Sequence, residues 1–106
     1  MDKALSMIGL AKRAGRITSG ADMVEDAIRQ GKAKLVVIAS DAAKNSRKSI
    51  SDCCGYYNVK YLIYSDKEQL ARAIGTDVAV AISVNDEGLA KAIETKIADL
   101  VMERKG

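Results

Sequence analysis

Histidine, proline, tryptophan and phenylalanine are all absent from this chain of 106 residues. Without histidine, the chain lacks the commonest general base and the commonest protein metal ligand. Its two cysteines are the adjacent pair Cys53 and Cys54, a spacing that provides neither a zinc knuckle nor a disulfide framework. Neither a G-x-G-x-x-G nor a P-loop phosphate motif occurs. We therefore expect no catalytic residues, no metal site and no cofactor.

Long apolar runs are also absent. None approaches the ~20 residues of a membrane span, and residues 1–14 lack the apolar segment and cleavage site of a signal peptide. A composition of 48% hydrophobic and 29% charged residues is typical of a soluble globule, and the length suits one domain over residues 1–106. We expect a cytoplasmic monomer that does not contact a membrane.

The net charge of +3 is unevenly distributed. Residues 1–49 contain ten Lys or Arg and five Asp or Glu, whereas residues 50–106 contain seven and nine. A basic N-terminal half favours a surface that faces a polyanion, although solvated helices give the same pattern.

Apolar periodicity predicts five helices and three strands, with a short extended link at residues 16–18. The strands are expected at residues 35–39, 59–64 and 78–83. Helices are expected at residues 2–14, between Gly20 and Gly31, at residues 46–54 before Gly55, between Ser65 and Gly75, and after Asn85. This order predicts an α/β fold, a three-layer α/β/α sandwich around a mixed central sheet.

Some residues in these elements have ordinary structural explanations. Ser65 with Glu68 matches a capping box, and Asn85 suits the cap of the last helix. The cysteines are expected to be buried helical thiols. The tyrosines are expected in the core and on an edge strand rather than in a base-stacking platform; they are residues 56, 57, 61 and 64.

The turn at Gly20 organises the chain, because it opens a helix that leads into the most apolar strand. The amides of residues 20–23 are a natural place to meet an anion or the polar edge of a ligand. Asp22 and Asp26 also suit a helix that complements its own dipole. Lys44 and Lys48 lie at a helix N-terminus, the end that the dipole disfavours for cations. A ligand-facing role and a solvated face both remain open for these lysines.

Residues 8–20, 31–41 and 45–48 together resemble the kink-turn-binding ribosomal protein family, which includes archaeal L-seven-Ae and eukaryotic L-thirty-e. The chain is most similar to a bacterial type, and the resemblance covers nearly all of it. It implies an α/β/α sandwich that binds kink-turns in structured RNA, without catalysis or cofactor, and it leaves association with the ribosome open.

The resemblance also implies which residues contact RNA. The family's Gly-x-Asn-Glu-x-x-Lys element reads sheared G·A pairs; here Gly20 is retained, while Asp22, Met23 and Asp26 replace the Asn, Glu and Lys. A second apolar loop, which covers a flipped-out nucleotide, maps onto residues 76–79. The expected RNA-binding residues are Arg13, Arg16, Gly20, Ala21, Asp22, Met23, Asp26, Lys44, Lys48, Thr76, Asp77, Val78 and Ala79.

Two other functions remain open from the sequence. A protein-interaction module on the same fold would use Met23 and Val78 as an apolar surface, with Asp22, Glu25 and Asp26 facing a basic partner. Such a partner would belong to the ribosome or to the transcription or translation machinery. An enzyme is disfavoured, although Asp41 follows a strand at the position where α/β enzymes place working residues.

Overall fold

The computed structural model describes residues 1–105, with side chains through residue 102. The helices are α1 (Lys3–Arg13), α2 (Ala21–Arg29), α3 (Lys44–Tyr57), α4 (Lys67–Ile74) and α5 (Glu87–Lys105). The strands are β1 (Ile17–Ser19), β2 (Leu35–Ile38), β3 (Tyr61–Ile63) and β4 (Ala81–Val84).

The four strands form one mixed sheet in the order β1-β4-β2-β3. Strand β4 is antiparallel to both of its neighbours, β1 and β2, and β2 is parallel to β3. The two central strands, β2 and β4, are buried along their whole lengths, as their continuous apolar sequences require. Strands β1, β2 and β3 therefore run in one direction and β4 runs in the other.

Helices cover both faces of the sheet. Helices α2 and α3 pack together on one face, and α1 packs with α4 and α5 on the other. The core is aliphatic; Ile8, Ile28, Ile38, Ile82 and Ile93 are all essentially inaccessible to solvent. The predicted three-layer α/β/α architecture with a mixed central sheet is confirmed.

One helix contact depends on a missing side chain. A Cβ added to Gly9 on α1 would lie 2.9 Å from the carbonyl oxygen of Ala73 on α4. Real Cβ atoms essentially never come so close to a backbone oxygen, so Gly9 allows the two helix backbones to approach each other.

Several predicted boundaries are wrong. The expected link at residues 16–18 overlaps β1, which pairs with β4 through Ile17 and Val84. Gly55 does not end α3, because the helix continues to Tyr57 and closes at Asn58 in the left-handed conformation. Strand β4 begins at Ala81, not at residue 78, so residues 78–80 belong to a loop.

Two predicted helix caps are also wrong. The α4 cap is Asp66, whose carboxylate accepts from the backbone N–H of Gln69 at 2.8 Å. The cap of α5 is Asp86, which accepts from the N–H of Leu89 at 2.9 Å. Asn85 instead donates its amide to the Thr18 hydroxyl at 2.8 Å, linking β4 to β1. The glycines predicted to end α2 and α4, Gly31 and Gly75, both have the positive φ angles of left-handed helix stops.

The tyrosines and cysteines divide between the interior and the surface. Tyr64 is buried and Tyr61 lies on the edge strand β3, as predicted. Tyr56 and Tyr57 are exposed instead at the end of α3, with ring centroids 4.9 Å apart. Cys54 is buried and Cys53 is half-buried.

Within residues 1–105, no helix is long and apolar enough to cross a membrane.

Candidate nucleic-acid interface

The strands begin and end along two opposite edges of the sheet, and the residues at these two edges differ in charge. We call the edge at which β1, β2 and β3 end and β4 begins the carboxyl edge, and the opposite one the amino edge. Helices α2, α3 and α4 each follow one of the three strands that end at the carboxyl edge. The positive ends of three helix dipoles therefore lie at this edge.

The Gly20 turn connects β1 to α2 at the carboxyl edge. Gly20 has φ 95° and ψ 145°, a backbone conformation that side chains strongly disfavour. No atom lies within 4 Å of a Cβ built there, so the backbone conformation requires glycine and the available space does not. The Gly20 N–H donates to the Ala81 carbonyl at 3.1 Å, which fixes the turn against the start of β4.

The first turn of α2 has available backbone donors. No side chain caps it, and the N–H groups of residues 21–23 find no acceptor among the described residues. Asp22 and Met23 are exposed, Met23 at 60% of its surface, and Ala21 is half-buried. This turn therefore presents three amides, a carboxylate and an apolar side chain to solvent.

The loop of residues 75–80 lies beside this turn, because it leads directly into β4 at Ala81. Ala39 at the end of β2 donates its N–H to the Val80 carbonyl at 2.9 Å on the other side. Val78 is 65% exposed, and Thr76 and Asp77 are exposed with it. Ala79 is fully buried, so among the predicted RNA contacts of this loop it differs from Thr76, Asp77 and Val78. Ala79 packs into the core beneath the loop.

Helix α3 contributes cations to the carboxyl edge. It begins at Lys44 without a side-chain cap, since the preceding residue is Ala43. Lys44 is exposed and has no ion pair among the described residues. The Lys48 ammonium lies 3.2 Å from Asp52, in an ion pair whose two side chains are both largely exposed. Such a pair contributes little stability and leaves Lys48 open to another anion.

Glu25 and Asp26 on α2 have separate structural environments. Glu25 accepts from the Ser49 hydroxyl at 3.1 Å, and its side chain is only 14% exposed. It therefore ties α2 to α3 and does not face outward toward a partner. Asp26 remains 57% exposed and pairs with Arg29 at 3.2 Å, one helical turn from Asp22.

Arg13 and Arg16 lie away from the Gly20 turn. Both are exposed, but they precede β1, at the amino edge. The three residues of β1 separate Arg16 from Gly20, and four extended Cα–Cα steps correspond to about 13 Å between their Cα atoms. Their closeness to Gly20 in the sequence does not bring them beside the turn, because β1 crosses the sheet from the amino edge to the carboxyl edge.

Asp41 has a structural role that the sequence did not specify. Its carboxylate accepts from the backbone N–H of Lys67 at 2.8 Å, at the start of α4. This bond joins the loop after β2 to the start of α4, the helix that follows the neighbouring strand β3 at the carboxyl edge.

The connecting loops at the two edges carry opposite charge. At the carboxyl edge, residue 20 and residues 39–43, 64–66 and 75–80 include three carboxylates and no cation. At the amino edge, residues 14–16, 30–34, 58–60 and 85–86 include four cations and one carboxylate. Sequence reasoning missed Lys32, Lys34 and Lys60 as candidates; the available signal was that each lies just ahead of a strand.

The thiols do not provide a reactive centre. Burial raises the pKa of Cys54 to about 11, with smaller contributions from Cys53 and Glu25. Burial also raises the pKa of Cys53, against a lowering by Arg29. Both thiols therefore stay protonated near neutral pH and are poor nucleophiles. Among the described residues, no group of three or more His, Cys, Asp or Glu side chains could hold a metal ion.

Comparison with known proteins identifies similar sequences over most of the chain. Residues 2–94 match the family model described as the ribosomal protein L7Ae/L30e/S12e/Gadd45 family. RNA-binding protein YlxQ of Bacillus subtilis is 39% identical over 87 residues, covering 82% of this chain and 87% of that protein. RNA-binding protein YlxQ of Enterococcus faecium is 36% identical over 89 residues, covering 84% and 85%. The resemblance inferred from the sequence is confirmed, and the names of these relatives agree with the prediction that the chain is not an enzyme.

Solved structures share the fold. A protein of unknown function from Bacillus halodurans superimposes with a TM-score of 0.89 at 34% identity, covering 92% of this chain and 99% of that one. The 15.5kD RNA binding protein of Giardia lamblia superimposes with a TM-score of 0.73 at 24% identity, covering 89% and 84%. The second similarity supports the architecture alone.

Proposed function

This chain belongs to the ribosomal protein L7Ae/L30e/S12e/Gadd45 family, and from this premise we propose that it binds RNA and recognises a kink-turn with its carboxyl edge. The YlxQ proteins to which it is similar are named as RNA-binding proteins. In this proposal the protein acts by docking on a kinked RNA helix and performs no chemical reaction.

The adjacency of two segments carries the proposal. The hydrogen bond from Gly20 to Ala81 holds the α2 turn against the loop of residues 75–80. Both expected contact elements therefore lie on one edge, with Met23 and Val78 exposed there. Apolar side chains rimmed by polar groups mark an interaction site when they form one contiguous patch, so the proposal takes Met23 and Val78 to act as one surface.

Each part of the edge has a distinct chemical role in this proposal. The Asp22 carboxylate accepts from the N1–H and N2–H donors of a guanine. Met23 and Val78 pack against unstacked bases, which RNA presents at bulges and loops. Lys44 and Lys48 lie near phosphates, where they position the RNA without reading its sequence. Gly20 and Ala21 keep the turn open for these contacts.

The charge of the edge determines how this binding should respond to salt. Its loops bear three carboxylates, so phosphate attraction depends on the α3 lysines and the helix dipoles. We therefore expect discrimination between RNAs to come from base edges and apolar contact, with a shallower salt dependence than a strongly basic surface would give.

Titration with two RNAs tests the proposal. A fluorescently labelled kink-turn RNA and an unkinked duplex of the same length are each titrated at two salt concentrations. We expect tighter binding to the kink-turn at both concentrations. Equal and weak binding to the two RNAs would overturn kink-turn recognition.

A matched pair of variants locates the surface. Val78→Ser removes an apolar side chain from the carboxyl edge and should lower the preference for the kinked RNA. Leu10→Ser removes a similarly exposed side chain, 58% accessible, from α1 and should leave the preference unchanged. The same loss in both variants would mean that the carboxyl edge is not the site.

A protein-interaction module is the second candidate function, and the exposed carboxylates of Asp22 and Asp77 at the carboxyl edge favour it. Such a surface suits a basic partner, with Met23 and Val78 supplying the apolar contact. Glu25 does not take part, because it is committed to Ser49. Affinity capture with and without nuclease separates the two functions, since a directly bound protein partner survives nuclease treatment and an RNA-bridged one is lost.

A further inference from the structure

The amino edge concentrates cations, and two of the four, Arg16 and Lys32, have no side-chain hydrogen bond or ion pair among the described residues. Three strands enter the sheet at this edge, and a cation stands immediately before each: Arg16 before β1, Lys34 before β2 and Lys60 before β3. Lys32 lies in the same loop as Lys34. The single carboxylate of these loops, Asp86, is occupied in capping α5.

The strand register places two of these cations at the same position along the strand direction. Ile17 of β1 and Leu35 of β2 both pair with Val84 of the intervening strand β4. The residues before them, Arg16 and Lys34, therefore flank the end of β4 with two strand spacings between them, about 10 Å. Their side chains start from a rigid sheet, not from a long loop.

The same cations are available for an external anion. Arg16 and Lys32 are exposed and have no hydrogen-bonded side chain or ion pair among the described residues. The Lys34 ammonium donates to the Gly31 carbonyl at 3.1 Å, a neutral partner that leaves its charge uncompensated. Lys60 differs because it pairs with Glu94.

Helix dipoles account for only part of this pattern. Lys34 contacts the carbonyl end of α2, where a cation is favourable, and Arg13 lies in the last turn of α1 for the same reason. Arg16 follows the helix-ending Gly15 and contributes its backbone, not its guanidinium, to the fold. Its carbonyl accepts from the Asn85 N–H at 2.8 Å.

We propose that the amino edge is a second RNA contact, at which Arg16, Lys32 and Lys34 bind backbone phosphates of a duplex arm flanking the recognised kink. This inference rests on the proposed function. Strand β1 is an edge strand, and it connects the Gly20 turn to Arg16 over about 13 Å. A duplex carries about one charge per 1.7 Å of its axis, so an arm that follows β1 brings roughly eight phosphates past this distance.

The proposal explains how a neutral-to-acidic recognition edge can hold a polyanion. The carboxyl edge supplies discrimination, and the amino edge supplies the electrostatic attraction that its loops lack. Phosphate contacts of this kind position RNA and do not read sequence.

The test uses two kink-turn RNAs that differ only in the length of one duplex arm. One arm is too short to reach past the Gly20 turn, and the other is extended by a full helical turn. Wild-type protein is compared with the triple variant Arg16→Gln, Lys32→Gln, Lys34→Gln. The control triple variant Arg72→Gln, Lys91→Gln, Lys96→Gln removes the same net charge from α4 and α5.

The expected result is specific to arm length. Wild-type protein should bind the long-armed RNA more tightly, with a steeper dependence of log Kd on log salt. The amino-edge variant should lose about 2.7 from that slope, as for three phosphate contacts, and should bind the short-armed RNA as the wild type does. The control variant should keep the wild-type slope, and far-UV circular dichroism of each variant checks that it is folded.

Two failures are distinguishable. If the wild type prefers kinked RNA but arm length and the amino-edge substitutions change nothing, the second contact is wrong and kink recognition stands. If the wild type binds neither RNA in preference to an unkinked duplex, the proposed function itself fails.

Discussion

Alanine substitutions at two helical glycines should have opposite effects on stability. In an unobstructed helix, glycine to alanine stabilises by roughly 0.5–1 kcal/mol, because glycine loses more backbone entropy on folding. Gly9 is in the interior of α1 and Gly55 is in α3. Helix propensity alone therefore predicts a gain at both positions.

The structure predicts that alanine at Gly9 lowers the free energy of unfolding instead of raising it. An alanine Cβ there would lie 2.9 Å from the Ala73 carbonyl oxygen, whereas a Cβ at Gly55 has no atom within 4 Å. The obstructing atom is backbone, so α1 and α4 must separate or bend, and overpacking of this kind typically costs about 1–3 kcal/mol. After the propensity gain of roughly 0.5–1 kcal/mol is subtracted, Gly9→Ala should destabilise the protein by up to about 2.5 kcal/mol, with a central value of about 1 kcal/mol. Gly55→Ala should stabilise it by roughly 0.5 kcal/mol, since Gly55 lies near a helix end.

Urea unfolding followed by far-UV circular dichroism measures both changes. The midpoint should fall for Gly9→Ala and rise slightly for Gly55→Ala, with equal m-values if both variants unfold in two states. A destabilisation of 1 kcal/mol corresponds to a fall in Tm of about 4–8 °C for a domain near this size. If the two variants gained stability alike, the close α1–α4 approach at Gly9 would be refuted.

Three further predictions concern the binding edge and the buried thiol. Asp22→Ala should weaken binding to kinked RNA by ~1–3 kcal/mol without affecting an unkinked duplex, if Asp22 contacts guanine edges; equal losses on both RNAs would contradict that role. Asp26→Lys should tighten RNA binding and steepen its salt dependence, whereas Asp99→Lys on α5 should do so much less; identical effects would indicate a general response to net charge. For Cys54, the unfolded thiol ionises near pH 9.0 while the folded thiol stays protonated to about pH 11. The free energy of unfolding is therefore unaffected by this group below pH 9 and falls by about 1.4 kcal/mol per pH unit between pH 9 and about pH 11, a loss that should be absent from Cys54→Ala in alkaline urea titrations.

Local sequence patterns were sufficient to predict the central elements of the fold. The apolar run before Ala39 predicts a strand covered on both faces, and β2 is buried throughout. The helix stops predicted at Gly31 and Gly75 are confirmed by their positive φ angles. They could be predicted because few residues other than glycine adopt this left-handed conformation. These features depend on residues that are close together in the sequence, so they can be predicted from the local sequence alone.

Short elements and exact caps could not be predicted in the same way. Strand β1 contains one apolar residue in three, and its extended form depends on pairing with β4, which lies more than sixty residues later. Asp66 and Asp86 displaced the predicted caps Ser65 and Asn85 by one position each. The Asn85 side chain instead donates to Thr18, which the sheet brings to it, and accepts from its near neighbour Ser83.

The sequence by itself determined the family, the layered fold and the identity of the turn at Gly20. Those follow from apolar periodicity, from the glycine that precedes a helical pattern and from a composite motif that extends along most of the chain. Only the tertiary structure decided which candidate residues share a surface. The direction of β4 brings the loop of residues 75–80 beside Gly20 and leaves Arg16 on the opposite edge. Strand direction and order arise from long-range pairing, so proximity along the chain placed Arg16 with the turn while the fold separates them.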